Sequence, residues 1–382
     1  MRFFHLSDLH IGLRLMNHDL GEDQRYVLGQ AVAYAAERQP DAVVIAGDIY
    51  DKSQPSAEAV ELFDAFVTKL RAAVPGAEIM MISGNHDSGA RVNVYRDILA
   101  AQHIHMIGLP PRSPEDHMEE VVLTDAHGPV HFRLLPFVKP AMVRGIVAAE
   151  EDEGSLSYEE SLRRLIAREN IDTSERNVLV SHQFFLPAGK SPEDVERMES
   201  EVPAVGNVDA VSAEVLAPFD YAALGHIHKP MKVGSEVYRY CGTPLACSVS
   251  EAGQRKGIIE VTLGAKGDVA TEVLPLKPLH EVRILTGTLE ELTKQKSEDY
   301  VTVVLTDTEE HDPLDLQDRL YSAFPNLLEI RRENVRTADY QAELAGMEQL
   351  DPYEFCTRFL PDLSDEEQDA LRDVINKVRE VN

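Results

Sequence analysis

Five apolar runs along the chain each end in a short polar motif that carries Asp, Asn or His. The motifs are Ser7-Asp8-Leu9-His10, Gly47-Asp48-Ile49-Tyr50-Asp51, Gly84-Asn85-His86-Asp87, Ser181-His182 and Gly225-His226-Ile227-His228. Polar residues that follow parallel strands gather at one edge of an α/β fold, where ligands bind. Chance rarely puts carboxylate, amide and imidazole groups after five successive strands. The pattern therefore predicts a single site built from five strand ends.

Each motif has a simpler explanation when it is taken alone. Asp8 and His10 follow a strand predicted over Arg2–Leu6, and residues two apart on a strand point the same way, but the pair would also suit a solvated loop. His226 and His228 are more specific, because alternate histidines at a strand end point to one side and imidazole is a common metal ligand. Only the five motifs together indicate a transition-metal site.

The chain up to Asp87 alternates strands with helices. Apolar residues spaced by three and four predict helices, and continuous apolar runs predict strands that are buried on both faces. The predicted elements are strands Arg2–Leu6, Ala42–Ala46 and Glu78–Ile82, with helices Gly21–Gln39, Ser56–Val74 and, further on, Arg91–Ala101. This alternation is typical of a layered α/β domain.

Shorter apolar runs after Ala101 predict a second sheet. The predicted strands are His103–Ile107, Val121–Leu123, Val130–Leu135, Asn177–Val180, Phe219–Leu224, Val237–Tyr240 and Gly257–Leu263, with a helix at Tyr158–Glu169. Two polar stretches, Glu150–Gly154 and Lys190–Val205, are expected to be surface loops.

A domain boundary is expected near Pro275 and Pro278, because prolines interrupt regular structure. Beyond it, strand, helix, strand, helix and strand are predicted in turn, as in a small α/β domain. The tail reads as two helices, Pro352–Leu360 and Ser364–Val381, which are too short to bury much surface alone, so we expect them to dock on this protein or on a partner. The expected domains are 1–275, 279–340 and 341–382.

The composition narrows the class of protein. A net charge of −29 argues against a free-standing DNA-binding module, because phosphate contacts need basic residues, but bound cations and a partner could supply that charge to a metallonuclease subunit. Cys241, Cys247 and Cys356 form no Cys-x-x-Cys pair, so we expect buried or inert thiols. No apolar run is long enough to cross a bilayer, and no targeting segment precedes the first strand. We therefore expect a cytoplasmic protein.

The five motifs resemble those of the calcineurin-like metallophosphoesterases, over residues 7–228. Within that family, the early first strand, the small additional domain and the tail resemble the nuclease subunits that act with an SbcC-type ATPase. The resemblance implies an α/β fold, a four-layer βαβα sandwich with a small α/β capping domain and C-terminal helices. It also implies that the C-terminal helices bind the ATPase.

A dinuclear metal centre is a further implication of the resemblance. One ion would be held by Asp8, His10 and His228, the other by Asn85, His182 and His226, and Asp48 would bridge them. Two divalent ions about 3.5–4 Å apart can activate water and stabilise phosphoryl charge. Imidazoles supply most of these ligands and favour a borderline ion, so we expect Mn2+ rather than Mg2+.

His86 and Asp87 are the candidate catalytic residues. The resemblance implies that His86 steadies the transition state or protonates the departing sugar oxygen, and that Asp87 orients His86 or caps the loop. Archaeal relatives carry a histidine at the position of Asp51, so here we expect Asp51 to stabilise its loop instead. Candidate phosphate contacts, which would equally suit ordinary surface positions, are Arg14, Lys52, Arg91 and Arg96.

The function implied by the resemblance is DNA end and hairpin processing in repair and recombination. It comprises exonuclease action on duplex DNA and endonuclease action on single strands or hairpins, by a homodimer within a heterotetramer. One alternative is a phosphodiesterase on nucleotides or small phosphodiesters, which would need no tail helices. Another is a scaffold without chemistry, but such a protein should have lost ligands. A protein phosphatase is disfavoured, because Lys52 follows Asp51 where those enzymes typically carry Arg.

Overall fold

Two six-stranded sheets lie face to face, and helices cover their outer faces. The computed structural model describes residues 1–149, 152, 156–191, 198, 200–201, 209–307, 311–333, 364, 367–368 and 370–372. A smaller, three-stranded sheet follows the two large ones in sequence.

The elements follow one another in three groups along the chain. The first group is β1 Arg2–Leu6, β2 Arg14–Leu15, β3 His18–Asp19, α1 Gly21–Arg38, β4 Ala42–Ala46, α2 Ala57–Ala73, β5 Glu78–Ile82, α3 Gly89–Val92, α4 Arg96–Ala100 and β6 Ile104–Ile107. The second is β7 Glu119–Asp125, β8 Gly128–Leu135, α5 Pro140–Val147, α6 Tyr158–Ala167, β9 Arg176–His182, β10 Phe184–Leu186, β11 Ala210–Ser212, β12 Tyr221–Gly225, β13 Met231–Val233, β14 Ser235–Tyr240, β15 Lys256–Leu263 and β16 Val269–Leu276, with short 3-10 helices at Ala213–Leu216 and Val249–Glu251. The third is β17 Val282–Gly287, α7 Leu289–Leu292, β18 Tyr300–Leu305, α8 Pro313–Ala323 and β19 Leu327–Arg332.

The five strands that carry the motifs are interior strands of the two large sheets. The first sheet has the order β16-β15-β1-β4-β5-β6, in which β1, β4, β5 and β6 are parallel. The second has the order β13-β14-β12-β9-β8-β7, in which β14, β12, β9 and β8 are parallel. Parallel neighbours present their carboxyl ends at the same edge, so each sheet delivers its motifs together.

Alternation along the central strands explains the layers. On β1, Phe3 faces the second sheet, with its ring centre 5.2 Å from that of Phe132 and 5.6 Å from that of Tyr221. The next residue, Phe4, packs with the helices α1 and α2 on the opposite face. Burial of each phenylalanine contributes about 1.5–3 kcal/mol. The predicted four-layer α/β sandwich is confirmed, but its layers run helix, sheet, sheet, helix and not in the βαβα order of the prediction, because the two sheets pack directly on each other.

Several elements differ from the sequence prediction, which lacks the short strands β2, β3, β10, β11 and β13. The helix predicted over Arg91–Ala101 is two short helices, because Tyr95 between α3 and α4 has a left-handed φ of 61°. Strand β16 is absent from the prediction; it pairs antiparallel with β15 at the edge of the first sheet, where Pro275 is tolerated. Helix α5 is also absent from it and begins at Pro140, a residue favoured in a first helical turn.

The small unit formed by β17–β19, α7 and α8 is fixed to the first turn of α1. The buried Asp23 carboxylate accepts a hydrogen bond from the His280 amide at 2.8 Å and from the Tyr300 hydroxyl at 3.0 Å. Nδ1 of His280 lies 3.0 Å from the same carboxylate. In addition, Nε2 of His18 lies 3.3 Å from the carbonyl oxygen of Leu327. The small unit therefore packs beside the segment that follows the first motif.

Most of the expected tail lies outside the described residues, including the predicted helix Pro352–Leu360. At the start of the second predicted tail helix, the amide and hydroxyl of Ser364 donate to the Glu367 carboxylate at 2.8 and 2.7 Å. This contact is part of a capping box. In the described part of the chain, no helix combines the length and apolar character needed to span a membrane.

Candidate metal centre

The loops after β1 and β4 are joined through their backbones. The amides of Asp8 and His10 donate to the carbonyls of Gly47 and Asp48, both at 3.0 Å. Asp8, His10 and Asp48 have left-handed φ angles of 51°, 42° and 48°. That conformation costs about 1–2 kcal/mol per non-glycine residue, so it persists only where the surroundings determine it. The loops are thus held in a strained shape that brings these side chains together.

The second sheet meets this edge at very short range. Gly225 ends β12 so close to the first sheet that a Cβ there would lie 1.9 Å from the carbonyl oxygen of Ala46. Nδ1 of His182 lies 2.8 Å from the same oxygen, and the amide of His226 donates to the Asp8 carboxylate at 3.0 Å. Position 225 therefore requires glycine, because any side chain would separate the two sets of motifs.

Asp8, His10 and His228 form one group of ligand atoms, which we call the first subsite. One side-chain nitrogen or oxygen from each lies within 4.8 Å of the others, and the Nε2 atoms of His10 and His228 are 3.1 Å apart. These residues are 0%, 1% and 2% exposed. A buried carboxylate and two imidazoles that converge in this way suit a divalent transition metal.

Asn85, His182 and His226 form the second subsite. Oδ1 of Asn85 lies 3.0 Å from Nε2 of His182 and 2.9 Å from Nδ1 of His226. Between the subsites, Oδ2 of Asp48 lies 3.3 Å from Nε2 of His182 and 3.7 Å from Nε2 of His10. The structure therefore brings together all of the ligand candidates from the sequence, with Asp48 in contact with both subsites.

Burial and charge oppose each other at these residues. Burial lowers the pKa of His10 to about 3, although Asp48 acts against that shift. Burial would also lower the pKa of His182, but the charge of Asp48 overcomes it and raises that pKa to about 9. Burial raises the pKa of Asp8. Burial alone would also raise the pKa of Asp48, but the neighbouring histidines hold it well below its usual range. Cations in the site would offset the cost of burying these carboxylates.

His86 lies at the border of the first subsite. Its amide donates to Oδ1 of Asp48 at 2.9 Å, and its ring centre is 4.8 Å from that of His10. One of its nitrogens also lies within 4.8 Å of ligand atoms of His10 and Asp48. Nδ1 of His86 lies 2.9 Å from the carbonyl oxygen of Asp51. This contact leaves Nε2 as the other ring nitrogen of His86.

Asp87 joins two loops, and its oxygens are occupied by backbone donors. The carboxylate accepts hydrogen bonds from the amides of Ile49, Tyr50 and Gly84 at 3.0, 2.9 and 2.9 Å. Burial and the charge of Asp48 raise the pKa of Asp87 to about 6 against these donors. These contacts are those of a loop cap, which is one of the two roles that the sequence left open for this candidate catalytic residue.

The four candidate phosphate contacts lie in different parts of the structure. Arg14 and Lys52 line a polar cavity of about 720 Å3 that also borders Asp51. Arg91 is exposed on α3, and Arg96 is ion-paired with a carboxylate on β7 at 2.9 Å. Only Arg14 and Lys52 thus share a cavity with a motif residue of the site.

Gln24 is a site residue that the motifs do not reveal. Its side-chain nitrogen donates to the carbonyls of His10 and Leu9 at 2.6 and 3.3 Å, and its oxygen accepts from the amide of Gly12 at 3.0 Å. These bonds fasten the loop that carries Asp8 and His10 to α1. The available signal was a glutamine on the buried face of that helix, beside Val27.

The sequence predicts that Lys190–Val205 is a surface loop. This prediction is wrong at two of the described residues of the segment, which are buried. Met198 and Glu201 are 3% and 6% exposed. The physical reason is that the Glu201 carboxylate accepts a hydrogen bond from the amide of His228 at 2.8 Å. Glu251 is also buried, with a carboxylate oxygen 3.5 Å from Nδ1 of His228, and no sequence motif identifies it.

Comparisons with known proteins agree with this geometry. The family model described as calcineurin-like phosphoesterase matches residues 1–230. A second family model, described as the type 5 capsule protein repressor C-terminal domain, matches residues 275–362. The first match spans every motif of the site, and the second spans the small unit and part of the tail.

Two curated relatives are named as the SbcD component of the nuclease SbcCD. The protein of Staphylococcus saprophyticus is 31% identical over 305 residues, which cover 78% of this chain and 75% of that protein. The protein of Staphylococcus epidermidis is 29% identical over 299 residues, with the same two coverages. Among solved structures, a dimetal phosphatase from Danio rerio is 14% identical with a TM-score of 0.39, over 73% of this chain and 98% of that one. The likeness to that structure is too weak to bear on function.

Proposed function

Because the chain belongs to the calcineurin-like phosphoesterases and, within them, to the SbcD nuclease subunits, we propose that it is a two-metal DNA nuclease that works with an SbcC-type ATPase. The family makes it a metal-dependent phosphodiester hydrolase. The observation that carries the proposal is the convergence of ligand atoms from five strand ends, with Asp48 in contact with both subsites.

We assign one divalent ion to each subsite. Asp8, His10 and His228 would hold the first ion, Asn85, His182 and His226 the second, and Asp48 would bridge them. The donor set fits this assignment, since imidazoles dominate it and the carboxylates offset the charge; the same set favours Mn2+ over Mg2+. When bound, the two ions supply Lewis-acid charge to the scissile phosphate and the attacking water.

We propose that His86 acts on the leaving group. The hydrogen on Nδ1 donates to the Asp51 carbonyl, which orients the ring and leaves Nε2 for the substrate. A proton on Nε2 would pass to the departing sugar oxygen as its bond to phosphorus breaks. Such general acid catalysis contributes about 10²–10⁴-fold. The bond from the His86 amide to Asp48 holds the backbone of His86 beside the proposed bridging carboxylate.

Arg14 and Lys52 are the proposed contacts for DNA phosphates. Both line the cavity beside Asp51 and are exposed. In a chain with a net charge of −29, local cations of this kind and the bound ions must supply the attraction for the phosphate backbone. The ATPase partner is proposed to supply the rest.

We propose that residues 1–275 form the nuclease domain, 279–340 a capping domain that contacts DNA, and 341–382 the segment that binds the ATPase. The C-terminal family match and the name of the relatives, which denotes one component of a complex, support this division. A homodimer within a heterotetramer is proposed as the assembly. Exposed apolar side chains on one short segment, Val94, Tyr95 and Ile98, support a contact between protein surfaces there.

A nuclease assay tests the catalytic proposal. Purified protein would be incubated with Mn2+ or Mg2+ and with linear duplex, hairpin or single-stranded DNA, beside a generic phosphodiester. We expect cleavage of DNA that is faster with Mn2+. Hydrolysis of the generic phosphodiester alone would contradict the proposal and favour a small-molecule phosphodiesterase. For variants of the site histidines, the control is His103→Ala, which changes a 56% exposed histidine in the same domain. This control variant should cleave DNA like the wild type.

Deletion of residues 351–382 tests the assignment of the tail. We expect the shortened chain to keep its Mn2+-dependent cleavage of single strands, because every proposed ligand precedes the deletion. It should no longer elute together with the ATPase on a sizing column. Unchanged complex formation would contradict the proposed role of this segment.

A further inference from the structure

The backbone of His228 is fixed on both sides by a buried polar network. Its amide donates to the Glu201 carboxylate at 2.8 Å. Its carbonyl oxygen accepts from Nζ of Lys256 and from the amide of Thr243, both at 3.2 Å. A histidine anchored in this way can change its side-chain position only by rotation of the imidazole itself.

The imidazole is held by two further side chains in series. Nδ1 of His228 lies 2.7 Å from Oγ of Ser200, which lies 2.9 Å from Oε1 of Glu251. The direct distance from Nδ1 to Glu251 is 3.5 Å, which is long for a hydrogen bond. A hydroxyl has one hydrogen, and a carboxylate can only accept. That hydrogen therefore lies between Ser200 and Glu251, and the Ser200 oxygen accepts from Nδ1–H of His228.

Glu251 is buried and is surrounded by hydrogen-bond donors besides Ser200. A buried carboxylate needs such partners to offset its desolvation. Its further donors are Lys256 Nζ at 2.6 Å, the Thr243 hydroxyl at 2.9 Å, the Ser248 hydroxyl at 3.1 Å and the Cys247 amide at 3.2 Å.

We propose that Ser200 and Glu251 are positioning residues that hold His228 as its Nδ1–H tautomer and thereby present the Nε2 lone pair to the first subsite. This inference rests on the proposed metal-binding function. A neutral imidazole has one N–H and one acceptor nitrogen. With the hydrogen on Nδ1, the acceptor is Nε2, the atom that lies 3.1 Å from Nε2 of His10. Partners that orient a metal-binding histidine typically change metal affinity about 10–100-fold.

His10 offers a comparison within the same subsite. Among the described residues, its Nδ1 is buried without a hydrogen-bond partner, and Oδ1 of Asp51 is 3.7 Å away. The ring of His10 is therefore placed by packing and by the strained loop, whereas that of His228 is placed by directed hydrogen bonds. The relay through Ser200 is what gives the first subsite a defined tautomer.

A matched pair of serine variants tests the relay. Ser200→Ala and Ser248→Ala each remove one hydroxyl that donates to Oε1 of Glu251, but only Ser200 also contacts His228. The full-length chain would be titrated with Mn2+ alone in a calorimeter, and bound Mn2+ would be followed by electron paramagnetic resonance. We expect Ser248→Ala to bind two ions like the wild type. Ser200→Ala should bind one ion normally and the other about 10–100-fold more weakly.

The other outcomes separate the relay from the proposed function. Equal Mn2+ binding by Ser200→Ala and Ser248→Ala, whether normal or weakened, would overturn the relay. Failure of the wild type to bind Mn2+ would instead overturn the proposed function. Ser200→Thr keeps the hydroxyl and should bind both ions with wild-type affinity. Weak binding by Ser200→Thr as well as by Ser200→Ala would assign the effect to packing and would also overturn the relay.

Discussion

The two proposed subsites place their ligands by different means. In the first, the Asp8 carboxylate is fully buried, and Nδ1 of His228 contacts Ser200, which in turn donates a hydrogen bond to Glu251. In the second, the neutral amide of Asn85 takes the place of a carboxylate. Nδ1 of His182 lies at hydrogen-bond distance, 2.8 Å, from the Ala46 carbonyl oxygen. One subsite thus depends on charged side chains and the other on neutral groups and the backbone.

If Asp48 bridges the two proposed ions as assigned, sharing it would not make those ions equivalent. Asp48 contacts both subsites. We assign the Asp8 carboxylate to the first, although one of its oxygens also lies within 4.8 Å of His182, and no further carboxylate is assigned to the second. Attraction between opposite charges is strong where water is excluded, so we expect the first ion to be held more tightly. The second subsite, with Asn85 only half-buried, is expected to exchange its ion more readily.

Asp48→Ala should disable both subsites at once and has the largest expected effect. The variant removes the carboxylate that contacts His10 and His182, so both subsites lose a ligand at once. We expect Mn2+ binding and DNA cleavage to be lost together, and chelation should no longer change the melting temperature, because no ion remains to stabilise the fold. Calorimetric titration and a thermal melt with and without chelator measure this. A variant that remained active would refute the bridge.

His86→Ala should separate catalysis from metal binding. The ring is proposed to act on the leaving group and not as a ligand, so both ions should bind as in the wild type while the rate falls by about 10²–10⁴-fold. Parallel measurements of kcat and Mn2+ stoichiometry test this, with His103→Ala as the control. Loss of an ion in the variant would show that His86 belongs to the first subsite, whose atoms lie within its reach.

Asn85→Asp should reduce the difference between the subsites. The new carboxylate would have nearly the same shape as the amide, and its oxygen would lie where Oδ1 of Asn85 now approaches His182 and His226. We expect the weaker of the two Mn2+ affinities to rise by about tenfold, since one favourable charge contact contributes about 1–2 kcal/mol. Competition with a chelator of known affinity measures it. An unchanged weaker affinity would mean that charge does not set the order of the two ions.

The sequence predicted the frame of the site because its signals are local. A strand buried on both faces is a continuous apolar run, as in Ala42–Ala46, and its polar end follows directly. The half-exposed edge strand β16 carries no such run, and the break at Tyr95 depends on backbone geometry that composition does not encode. Short length hides elements as well, since the fully buried β10 has only three residues, so the interior strands that are both long and continuously apolar were the most predictable.

The residues that support the ligands were not predictable for a different reason. Ser200 and Glu251 lie 51 positions apart and become partners only when His228 brings them together. Neither has a neighbour in sequence that suggests a metal site. Asp51 was expected only to stabilise its loop, but its carbonyl contacts His86 and its carboxylate faces His10. Such support depends on tertiary contact, which a single sequence does not display.

Gln24→Ala should weaken the first subsite alone and has the smallest expected effect. The variant leaves the carbonyls of Leu9 and His10 and the amide of Gly12 without their side-chain partner. Unpaired buried groups cost about 1–3 kcal/mol, so the free energy of unfolding should fall by about that amount. Gln30→Ala is the matched control, because Gln30 is on the same helix but donates to Lys277 at 2.6 Å. Urea unfolding and Mn2+ titration of both variants should show weaker binding of one ion in Gln24→Ala only. If both ions weakened equally, the loop after β1 would serve the whole centre, and the subsites would not be independent.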